Sequence, residues 1–371
     1  MEPDRMTDEN GFRRVRAASD RATEFLDARA AAQVVKVLGL ASCLRGIAAR
    51  IEADFRRWDE FQKTARVASM SPDGVIELMP VADAHSWSFK YVNGHPGNFR
   101  HDRPTVMAFG ALARVATGEP EFLSELTLTT AMRTAAMSAL AAARLALPES
   151  RTMALIGNGA QSEFQALAFH HLLGIRVLRL FDTDPRATRK LIDNLLPFDV
   201  QTIACASVAE ACQEADIITT VTAAHRHAAL VTAAMVAPGT HINAVGGDSP
   251  GKTELAPDVL RDASVFVEFE PQTRVEGEIQ QMPADFAVTE LWQVLRGAAP
   301  GRRTPGEVTI FDSVGFALED FSALHFMREA AAGLGLLRRI DLIPALADPK
   351  NLFDLVALDA RGAVQRQAML L

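Results

Sequence analysis

The fold is decided by residues 153–162, which read Met-Ala-Leu-Ile-Gly-Asn-Gly-Ala-Gln-Ser. An apolar run leads straight into a Gly-x-Gly turn, and apolar side chains then recur near helical spacing. A strand, a tight glycine turn and a helix in this order place a pyrophosphate at the helix N-terminus. Gly157 allows the turn and Gly159 lets the backbone approach the phosphates, whereas Ser162 replaces the third glycine of the pattern. The stretch predicts a dinucleotide-binding site.

The next predicted strand supports this interpretation. Residues 176–181 have β character and end at Asp182, where a ribose-binding carboxylate is expected. A carboxylate there accepts hydrogen bonds from the adenine ribose and repels a 2′-phosphate, which favours NAD over NADP. The alternative is an ordinary strand, loop and helix with an aspartate in a turn, but both halves of the pattern are present.

Strands and helices alternate around these two motifs. The predicted elements are strand 152–156, helix 161–173, strand 176–181, helix 185–195, strand 200–204, helix 207–213, strand 216–221, strand 264–268, helix 286–296, strand 307–311 and helix 316–333. This alternation indicates a parallel sheet with helices on both faces. Thr222 follows one of the strands directly, at the edge where ligands bind in such sheets.

The preceding region has a period of two. Its predicted strands are 66–70, 75–80, 86–92, 105–114 and 121–126. With the turn signals between them, these strands indicate an antiparallel meander. Arg66, Glu77 and Lys90 lie on neighbouring strands, where they would either line one polar pocket or form salt bridges on a solvated face. An Ala-rich helix over 128–147 is predicted to connect the meander to the nucleotide-binding part.

A second glycine-rich stretch matches the phosphate-loop pattern G-x-x-x-x-G-K-[ST] at residues 246–253. We reject that interpretation because Pro250 lacks a backbone N–H and Asp248 would bring negative charge to the phosphates. Instead, we expect a strand that delivers Asp248 into the active-site crevice as a general acid/base, with Lys252 tuning it or holding the cofactor. The alternative is an Asx-type turn with a surface lysine.

Composition and charge restrict the function classes. The 371 residues, 49% hydrophobic and 23% charged, fit a soluble globular protein of one or two domains. A net charge of -8 argues against nucleic acid as a partner, and no apolar run reaches membrane-spanning length. Residues 1–22 lack the apolar core of a secretory signal, and we expect a flexible extension. Three scattered cysteines favour a cytoplasmic protein, and the nine histidines form no metal pattern.

Several motifs of this chain occur together in one known family. They are Lys-Tyr-Val-Asn-Gly-His-Pro at 90–96, Gly-Asn-Gly-Ala-Gln-Ser-Glu-Phe-Gln at 157–165, Asn-Ala-Val-Gly-Gly-Asp at 243–248, Pro-Gly-Lys-Thr-Glu-Leu at 250–255, Glu-Pro-Gln-Thr-Arg at 270–274 and Phe-Asp-Ser-Val-Gly-Phe-Ala-Leu-Glu-Asp at 311–320. The combination resembles the ornithine cyclodeaminase/μ-crystallin family, from about residue 23 to residues 341–344. Ser249 stands where similar members carry Cys, and residues 1–22 and those after Asp348 have no counterpart.

The resemblance implies an α/β protein with a Rossmann-type NAD-binding domain and an α+β substrate-binding and dimerisation domain with an antiparallel sheet. The implied boundaries are a flexible extension at 1–22, the substrate-binding and dimerisation domain at 23–130 and 318–371, and the NAD-binding domain at 131–317. The implied reaction converts L-ornithine to L-proline and ammonia, with tightly bound NAD as a transient hydride acceptor. The implied protein is a cytoplasmic homodimer that binds no nucleic acid and no membrane.

The resemblance also assigns residues. Asp248 would be the acid/base, Arg66 and Lys90 would bind the substrate carboxylate, Glu77 would bind a substrate ammonium, and Val314 would contact the substrate. The implied NAD-binding residues are Thr105, Arg133, Gly157, Gly159, Ala160, Gln161, Asp182, Thr222, Ala244, Val245, Lys252 and Ser313. Other chemistries of the family stay open: lysine or arginine cyclodeamination, and NAD(P)H-dependent ketimine reduction or amino-acid dehydrogenation. A non-catalytic, μ-crystallin-like binding protein is the alternative outside catalysis.

Overall fold

A computed structural model describes residues 22–223 and 227–357, so almost all of the expected extension and the end of the tail lie outside the described residues. Within the described residues the chain divides into two compact units, one containing residues 22–25 and 338–357 and the other drawn from residues 26–337. In the smaller unit, residues 23–25 of β1 (Thr23–Leu26) pair antiparallel with β18 (Arg338–Ile340), and a 3₁₀ turn spans Leu352–Leu355.

The larger unit contains an antiparallel sheet, as the period of two predicted. Its strands are β2 (Gln62–Lys63), β3 (Val67–Ser71), β4 (Gly74–Ala82), β5 (Ser86–Gly94), β6 (Val106–Arg114) and β7 (Pro120–Glu125). Within this unit they run in the order β7-β6-β5-β4-β2, and β3 also pairs with β4. The register sets Glu77 opposite Val92 and Met79 opposite Lys90. Since alternate residues of a strand face opposite sides, these four side chains share the buried face of the sheet.

The same unit contains a parallel sheet, which confirms the predicted Rossmann-type alternation. Its strands are β8 (Thr152–Ile156), β9 (Val177–Phe181), β10 (Gln201–Ala204), β11 (Ile217–Thr220), β13 (His241–Ala244), β15 (Ser264–Val267), β16 (Thr289–Glu290) and β17 (Thr309–Asp312). They run in the order β10-β9-β8-β11-β13-β17-β15-β16. The strands remain parallel, but successive strands are added on one side of β8 up to β10 and on the other side from β11 onward. The boundary between β8 and β11 is therefore the switch point, where such sheets bind ligands. A small parallel ladder joins β12 (His227–Val231) to β14 (Thr253–Leu255).

Helices surround both sheets. They are α1 (Ala28–Leu38), α2 (Leu40–Arg56), α3 (Thr127–Leu145), α4 (Ser162–Leu173), α5 (Pro185–Leu195), α6 (Val208–Cys212), α7 (Pro257–Arg261), α8 (Glu270–Glu276), α9 (Leu291–Arg296) and α10 (Ala317–Gly333). The helix predicted over 286–296 begins only at Leu291, because Thr289 and Glu290 pair with β15 instead. In the part of the chain that the structure describes, no helix is long and apolar enough to span a membrane.

The Ala-rich helix α3 lies at the centre of the larger unit. Its Met132 and Ala136 belong to the same buried cluster as Phe122 of the antiparallel sheet and Phe311 of the parallel sheet. Small alanine side chains let neighbouring helices approach closely, so α3 packs against α2, α4 and α10. The two sheets therefore share one core, and the edge of the parallel sheet is held near the buried face of the antiparallel sheet.

Candidate active site

A cavity of about 620 Å³ opens where the carboxyl ends of β8, β9 and β11 meet the buried face of the antiparallel sheet. The predicted site residues that line it are Arg66, Glu77, Lys90, Thr105, Arg133, Gly157, Gly159, Ala160, Gln161, Asp182, Thr222, Val245, Asp248, Lys252, Ser313 and Val314. Ala244 is fully buried at the end of β13 and does not line the cavity, although its carbonyl accepts a hydrogen bond from Ser313 N at 2.8 Å. One cavity thus brings together both groups of residues.

The glycine turn has the geometry that the sequence predicted for it. Gly157 has a φ of 96°, and a Cβ there would lie 2.8 Å from the carbonyl oxygen of Val221. A Cβ on Gly159, in contrast, would meet nothing within 4 Å, so this backbone is open to an approaching group. At the third glycine position, the Ser162 hydroxyl donates to Gly159 O at 2.7 Å. The turn leads into α4, whose N-terminus has no side-chain cap, and the N–H groups of such a helix end suit an anion.

Asp182 follows β9 and lines the cavity beside this turn. Its Oδ2 accepts a hydrogen bond from Asn158 N at 2.6 Å, and its Oδ1 accepts one from Asp184 N at 2.8 Å. The Asn158 side chain is held in turn by the Thr188 hydroxyl at 2.8 Å. The backbone therefore fixes the carboxylate in one orientation, which suits a group that must recognise a ribose.

Arg66 connects several walls of the cavity. Its Nη1 donates to Glu77 at 2.9 Å, and its Nη2 donates to the carbonyls of Val314 at 2.5 Å and Gly315 at 2.6 Å. Its Nε lies 3.1 Å from Glu276 without hydrogen-bond alignment. Burial alone would lower the pKa of Arg66, but Glu77 and Glu276 hold that pKa above its ordinary value. Most of the Arg66 donors are thus bound within the protein, which leaves little of its fork for a substrate carboxylate.

Lys90 and Arg133 form a second cationic group on the cavity wall. Both are backed by Asp320, whose Oδ1 accepts from Lys90 Nζ at 2.9 Å and from Arg133 Nε at 3.0 Å. Arg133 also donates from Nη1 to Glu319 at 2.7 Å. Burial, together with the charge of Arg133, lowers the pKa of Lys90 to about 8. The solvated salt-bridge alternative is wrong for Arg66, Glu77 and Lys90, because their side chains are buried.

Asp248 is the most open of the charged groups here, with a side chain 49% exposed. Lys252 Nζ donates to its Oδ1 at 2.9 Å, while Lys252 itself is only 6% exposed. Burial alone would lower the pKa of Lys252, but Asp248 and Glu254 raise it above its ordinary value. The ammonium therefore stays charged and directs the carboxylate of Asp248, which has the exposure that a proton-transferring group needs.

The two residues before Asp248 must be glycines, because buried carboxylates occupy the space that a Cβ would need. A Cβ on Gly246 would lie 2.1 Å from Glu254 Oε2, and one on Gly247 would lie 2.5 Å from Glu278 Oε1. Glu254 also binds both the N–H and the hydroxyl of Thr222. The segment after the loop is the strand β14 and not a helix, which agrees with the rejection of a phosphate-binding loop.

A set of buried acids around the cavity was not predicted from the sequence. They are Glu254, Glu268, Glu276, Glu278, Asp312, Glu319 and Asp320. Burial raises the pKa of Glu276 and of Asp312 to about 7. Glu268 accepts from the Ser313 hydroxyl at 2.6 Å and from Gly315 N at 3.3 Å, which fixes the turn after β17. A signal existed, because acids inside apolar runs such as Val-Phe-Val-Glu-Phe-Glu at 265–270 require buried partners.

The arrangement fits a dinucleotide and a small zwitterionic ligand. The open backbone at Gly159, the fixed carboxylate at Asp182 and the switch point offer a nucleotide the expected contacts. The sheet face offers Lys90 to an anion and Glu77 to a cation, with apolar Met79 and Val92 between them. Within the described ranges 22–223 and 227–357, no group of three or more His, Cys, Asp or Glu side chains is arranged so that it could hold a metal ion.

Comparisons with known proteins agree with this geometry. The model of the family described as ornithine cyclodeaminase/mu-crystallin family matches residues 28–334. The chain is 54% identical over 324 residues to an ornithine cyclodeaminase of Brucella suis, covering 87% of this chain and 90% of that protein. It is 53% identical over 318 residues to an ornithine cyclodeaminase of Agrobacterium fabrum, covering 86% of this chain and 90% of that protein.

Two solved structures share the fold. One is a lysine cyclodeaminase, whose structure is described as the basis for its recognition of L-lysine, L-ornithine and L-2,4-diamino butyric acid. It has a TM-score of 0.84 at 32% identity, and the match covers 88% of this chain and 97% of that one. An archaeal alanine dehydrogenase dimer with bound NAD has a TM-score of 0.80 at 28% identity and covers 86% of this chain and 99% of its own.

Proposed function

Because the chain belongs to the ornithine cyclodeaminase/μ-crystallin family, we propose that it is an ornithine cyclodeaminase with NAD as its cofactor. It converts L-ornithine to L-proline and ammonia. The observation that carries this proposal is the cavity itself, in which the carboxyl edge of the parallel sheet meets Lys90 and Glu77, two buried side chains of opposite charge on the antiparallel sheet. A diamino acid presents the matching charges, a carboxylate and a distal ammonium.

The cofactor half of the cavity fits NAD. Gly157 and Gly159 leave room for the pyrophosphate, and Asp182 is oriented for the adenine ribose. The other residues proposed to hold NAD are Thr105, Arg133, Ala160, Gln161, Thr222, Val245, Lys252 and Ser313 on the lining, with Ala244 behind it. When bound, NAD supplies a reversible hydride acceptor, and that chemistry belongs to the cofactor.

The substrate half holds the amino acid by its two ends. Lys90 attracts the carboxylate, and the N–H groups of Arg66 that are not bound within the protein assist it. Glu77 accepts hydrogen bonds from the side-chain ammonium. Val314 completes the wall beside the substrate. Because Glu77 and Lys90 are diagonal neighbours on adjacent strands, the sheet register fixes the distance between the two contacts.

Asp248 moves the protons. Ring closure needs the distal ammonium to lose a proton before its nitrogen attacks the α-carbon, and the departing nitrogen must gain one. An ornithine cation therefore becomes neutral proline plus an ammonium ion, and the protons balance without an external acid. A single carboxylate that accepts and returns a proton suffices, and Asp248 has the exposure and the Lys252 partner for this role.

The decisive experiment uses purified protein, NAD and L-ornithine deuterated at the α-carbon. We expect proline and ammonia in equal amounts, deuterium retained at the α-carbon of proline, and no accumulation of NADH. Steady formation of NADH would identify a dehydrogenase instead, and proline that has lost the deuterium would exclude return of the same hydride to the α-carbon.

Lysine is the substrate alternative that the cavity favours most, because its charges match those of ornithine and it is longer by one methylene. Such a difference is worth about 1–3 kcal/mol in a pocket. Parallel assays of ornithine, lysine and arginine with product identification decide between them. Cyclic imines with NADH or NADPH test the reductase alternative. A non-catalytic binder would turn over none of these substrates.

We also propose that the protein is a cytoplasmic homodimer. The outer face of the antiparallel sheet exposes Ile76, Leu78, Trp87 and Phe109, and Tyr91 stacks on Phe109 with ring centroids 5.0 Å apart. An exposed apolar face of this kind is typical of a protein–protein interface.

Light scattering of Phe109→Arg tests the dimer. We expect a mass of two chains for the wild-type protein and of one chain for the variant, whereas Val37→Arg, on the exposed side of α1, leaves the mass unchanged. A monomeric wild-type protein would exclude the dimer. The division into a substrate-binding part, 23–130 with 318–371, and an NAD-binding part, 131–317, stays a prediction that separate expression of residues 131–317 can test by NAD binding.

A further inference from the structure

Helix α10 places two consecutive buried carboxylates, Glu319 and Asp320, behind the wall of the cavity. Neither lines the cavity, but the cations that they contact, Lys90 and Arg133, both do. Lys90 Nζ lies 2.8 Å from Asp320 Oδ2 and donates to Oδ1 at 2.9 Å, and the same Oδ1 accepts from Arg133 Nε at 3.0 Å. Glu319 contacts only Arg133 of this pair, at 2.7 Å.

One carboxylate oxygen therefore joins two cations that serve different ligands. Lys90 comes from the antiparallel sheet and faces the proposed substrate, while Arg133 comes from α3 and is assigned to the cofactor. Their spacing is set by Asp320 Oδ1, because both donate to that atom. An error of one ångström in such a spacing is enough to slow a reaction by about 100-fold.

We propose that Asp320 is a positioning residue that fixes Lys90 relative to Arg133 and thereby sets the substrate against the cofactor. The proposal rests on the proposed function, since that function supplies the carboxylate that Lys90 receives. Because Asp320 does not line the cavity, it acts only through the two cations.

Asp320 also keeps Lys90 charged. The charged groups around Lys90 are Arg133 of α3, Arg66 before β3, Glu77 diagonally opposite on β4, and Asp320 of α10, whereas β6 sets Gly110 opposite it. Burial and the two arginines lower the pKa of Lys90, and Asp320 opposes them. Loss of the Asp320 charge would therefore lower the pKa of Lys90 further.

The first test compares Asp320→Asn with Glu319→Gln. We expect Asp320→Asn to raise the KM for ornithine about 100-fold at pH 7.5, as expected when a buried charge pair loses one partner. As the pH is raised, the affinity of Asp320→Asn for ornithine should begin to fall at a lower pH than that of the wild-type protein, because Lys90 loses its proton earlier. Glu319→Gln should weaken NAD binding and change the KM for ornithine much less, because Lys90 keeps its partner.

The matched control is Asp54→Asn. Asp54 is another buried carboxylate that packs against α10, where its Oδ2 accepts from the Ser322 hydroxyl at 2.7 Å, but it lies outside the cavity lining. Asp54→Asn should lower thermal stability without changing the KM for ornithine or its pH profile. If Asp54→Asn reproduced the KM and pH changes of Asp320→Asn, a general structural role would replace the positioning role.

The second test follows Lys90 directly. The chain contains six lysines, so NMR of protein labelled with ¹³C at lysine Cε resolves them, and Lys90→Met identifies the signal. Lys90 should titrate near 8 in the wild-type protein and lower in Asp320→Asn. If Asp320→Asn does not fold, Asp320→Glu takes its place, with a raised KM and a Lys90 titration that stays near the wild-type value.

An unchanged KM together with an unmoved Lys90 titration overturns the proposal. The NMR titration of Lys90 needs no turnover, so it tests the role of Asp320 independently of the proposed ornithine cyclodeaminase activity. A wild-type protein inert toward ornithine whose Lys90 signal still shifts in Asp320→Asn contradicts the proposed substrate and retains the positioning role of Asp320.

Discussion

The two halves of the cavity present different groups to a ligand. The half at the edge of the parallel sheet presents mainly backbone: a glycine at φ 96°, another with open space above it, and an aspartate oriented by two N–H groups. The half on the antiparallel sheet presents buried charged side chains, each held by further buried charges. In the backbone half, a larger residue at a glycine position would distort the turn. In the charged half, loss of one charge would leave its buried partner unpaired. We therefore expect substitutions in the first half to affect stability and NAD binding, and those in the second half to affect ornithine binding.

The largest effect is expected where the two halves meet, at Asp248. Asp248→Asn should reduce kcat about 1,000-fold, because a neutral amide cannot accept a proton, within the range known for general acid–base groups. NAD binding, measured by calorimetry, should persist. The exposed Asp193→Asn on α5 is the control. An active Asp248→Asn variant would move the acid/base role elsewhere.

The next largest effect concerns the charged half. Glu77→Gln leaves Arg66 without one of its carboxylate partners and removes the acceptor proposed for the distal ammonium. We expect the KM for ornithine to rise about 100-fold, with NAD affinity little changed. Glu121→Gln, on β7 outside the cavity lining, controls for loss of one sheet carboxylate. Equal losses of NAD and ornithine binding would mean that the two halves are not separate.

The backbone half is tested by Gly157→Ala. The alanine would be strained by its φ and would crowd the carbonyl of Val221, so we expect a loss of about 1–3 kcal/mol in the free energy of unfolding, with weaker NAD binding. Gly118→Ala is a matched control, since Gly118 also has a positive φ, 73°, but open space at the Cβ position. Denaturant unfolding measures both variants. The comparison fails if Gly118→Ala costs as much as Gly157→Ala and NAD affinity is unchanged.

The smallest effect is expected from Asp182→Asn. The amide keeps an oxygen for only one of the two N–H groups, Asn158 N or Asp184 N, and removes the negative charge that would repel a 2′-phosphate. We expect the affinity for NADP relative to NAD to rise about tenfold, a change of roughly 1.4 kcal/mol. Asp184→Asn, at the N-cap of α5, is the control. An unchanged ratio would show that other groups exclude the phosphate.

The geometry of the backbone half of the cavity could be predicted from the sequence better than that of the charged half, for a physical reason. A glycine turn between a strand and a helix is a local pattern, so Gly157, Gly159 and Asp182 could be located from spacing alone. Lys90 and Asp320 meet across 230 residues of sequence, and no local pattern specifies that pair. The carboxylate-binding role of Arg66 was implied by the family resemblance, while two of its donor contacts go to the carbonyls of Val314 and Gly315, which only the folded structure shows.

The element boundaries show the same division. The strands of the meander were predicted within a few residues, because turn residues and the period of two are both local. The start of α9 was missed, since the pairing of Thr289 with Phe266 across the sheet overrides the helical pattern before Leu291. The acids behind the cavity wall were visible as charges in apolar runs, but their partners depend on the folded arrangement.

The strand register has a consequence for protein engineering. Glu77 and Lys90 are spaced by the pleat of β4 and β5, and a shift of either charge by one position would turn it to the opposite face of the sheet. Selection for a longer or shorter diamino acid cannot therefore relocate these charges in small steps. It has to resize the apolar filling between them, and Met79 and Val92 are the positions at which a library for altered chain-length preference should begin.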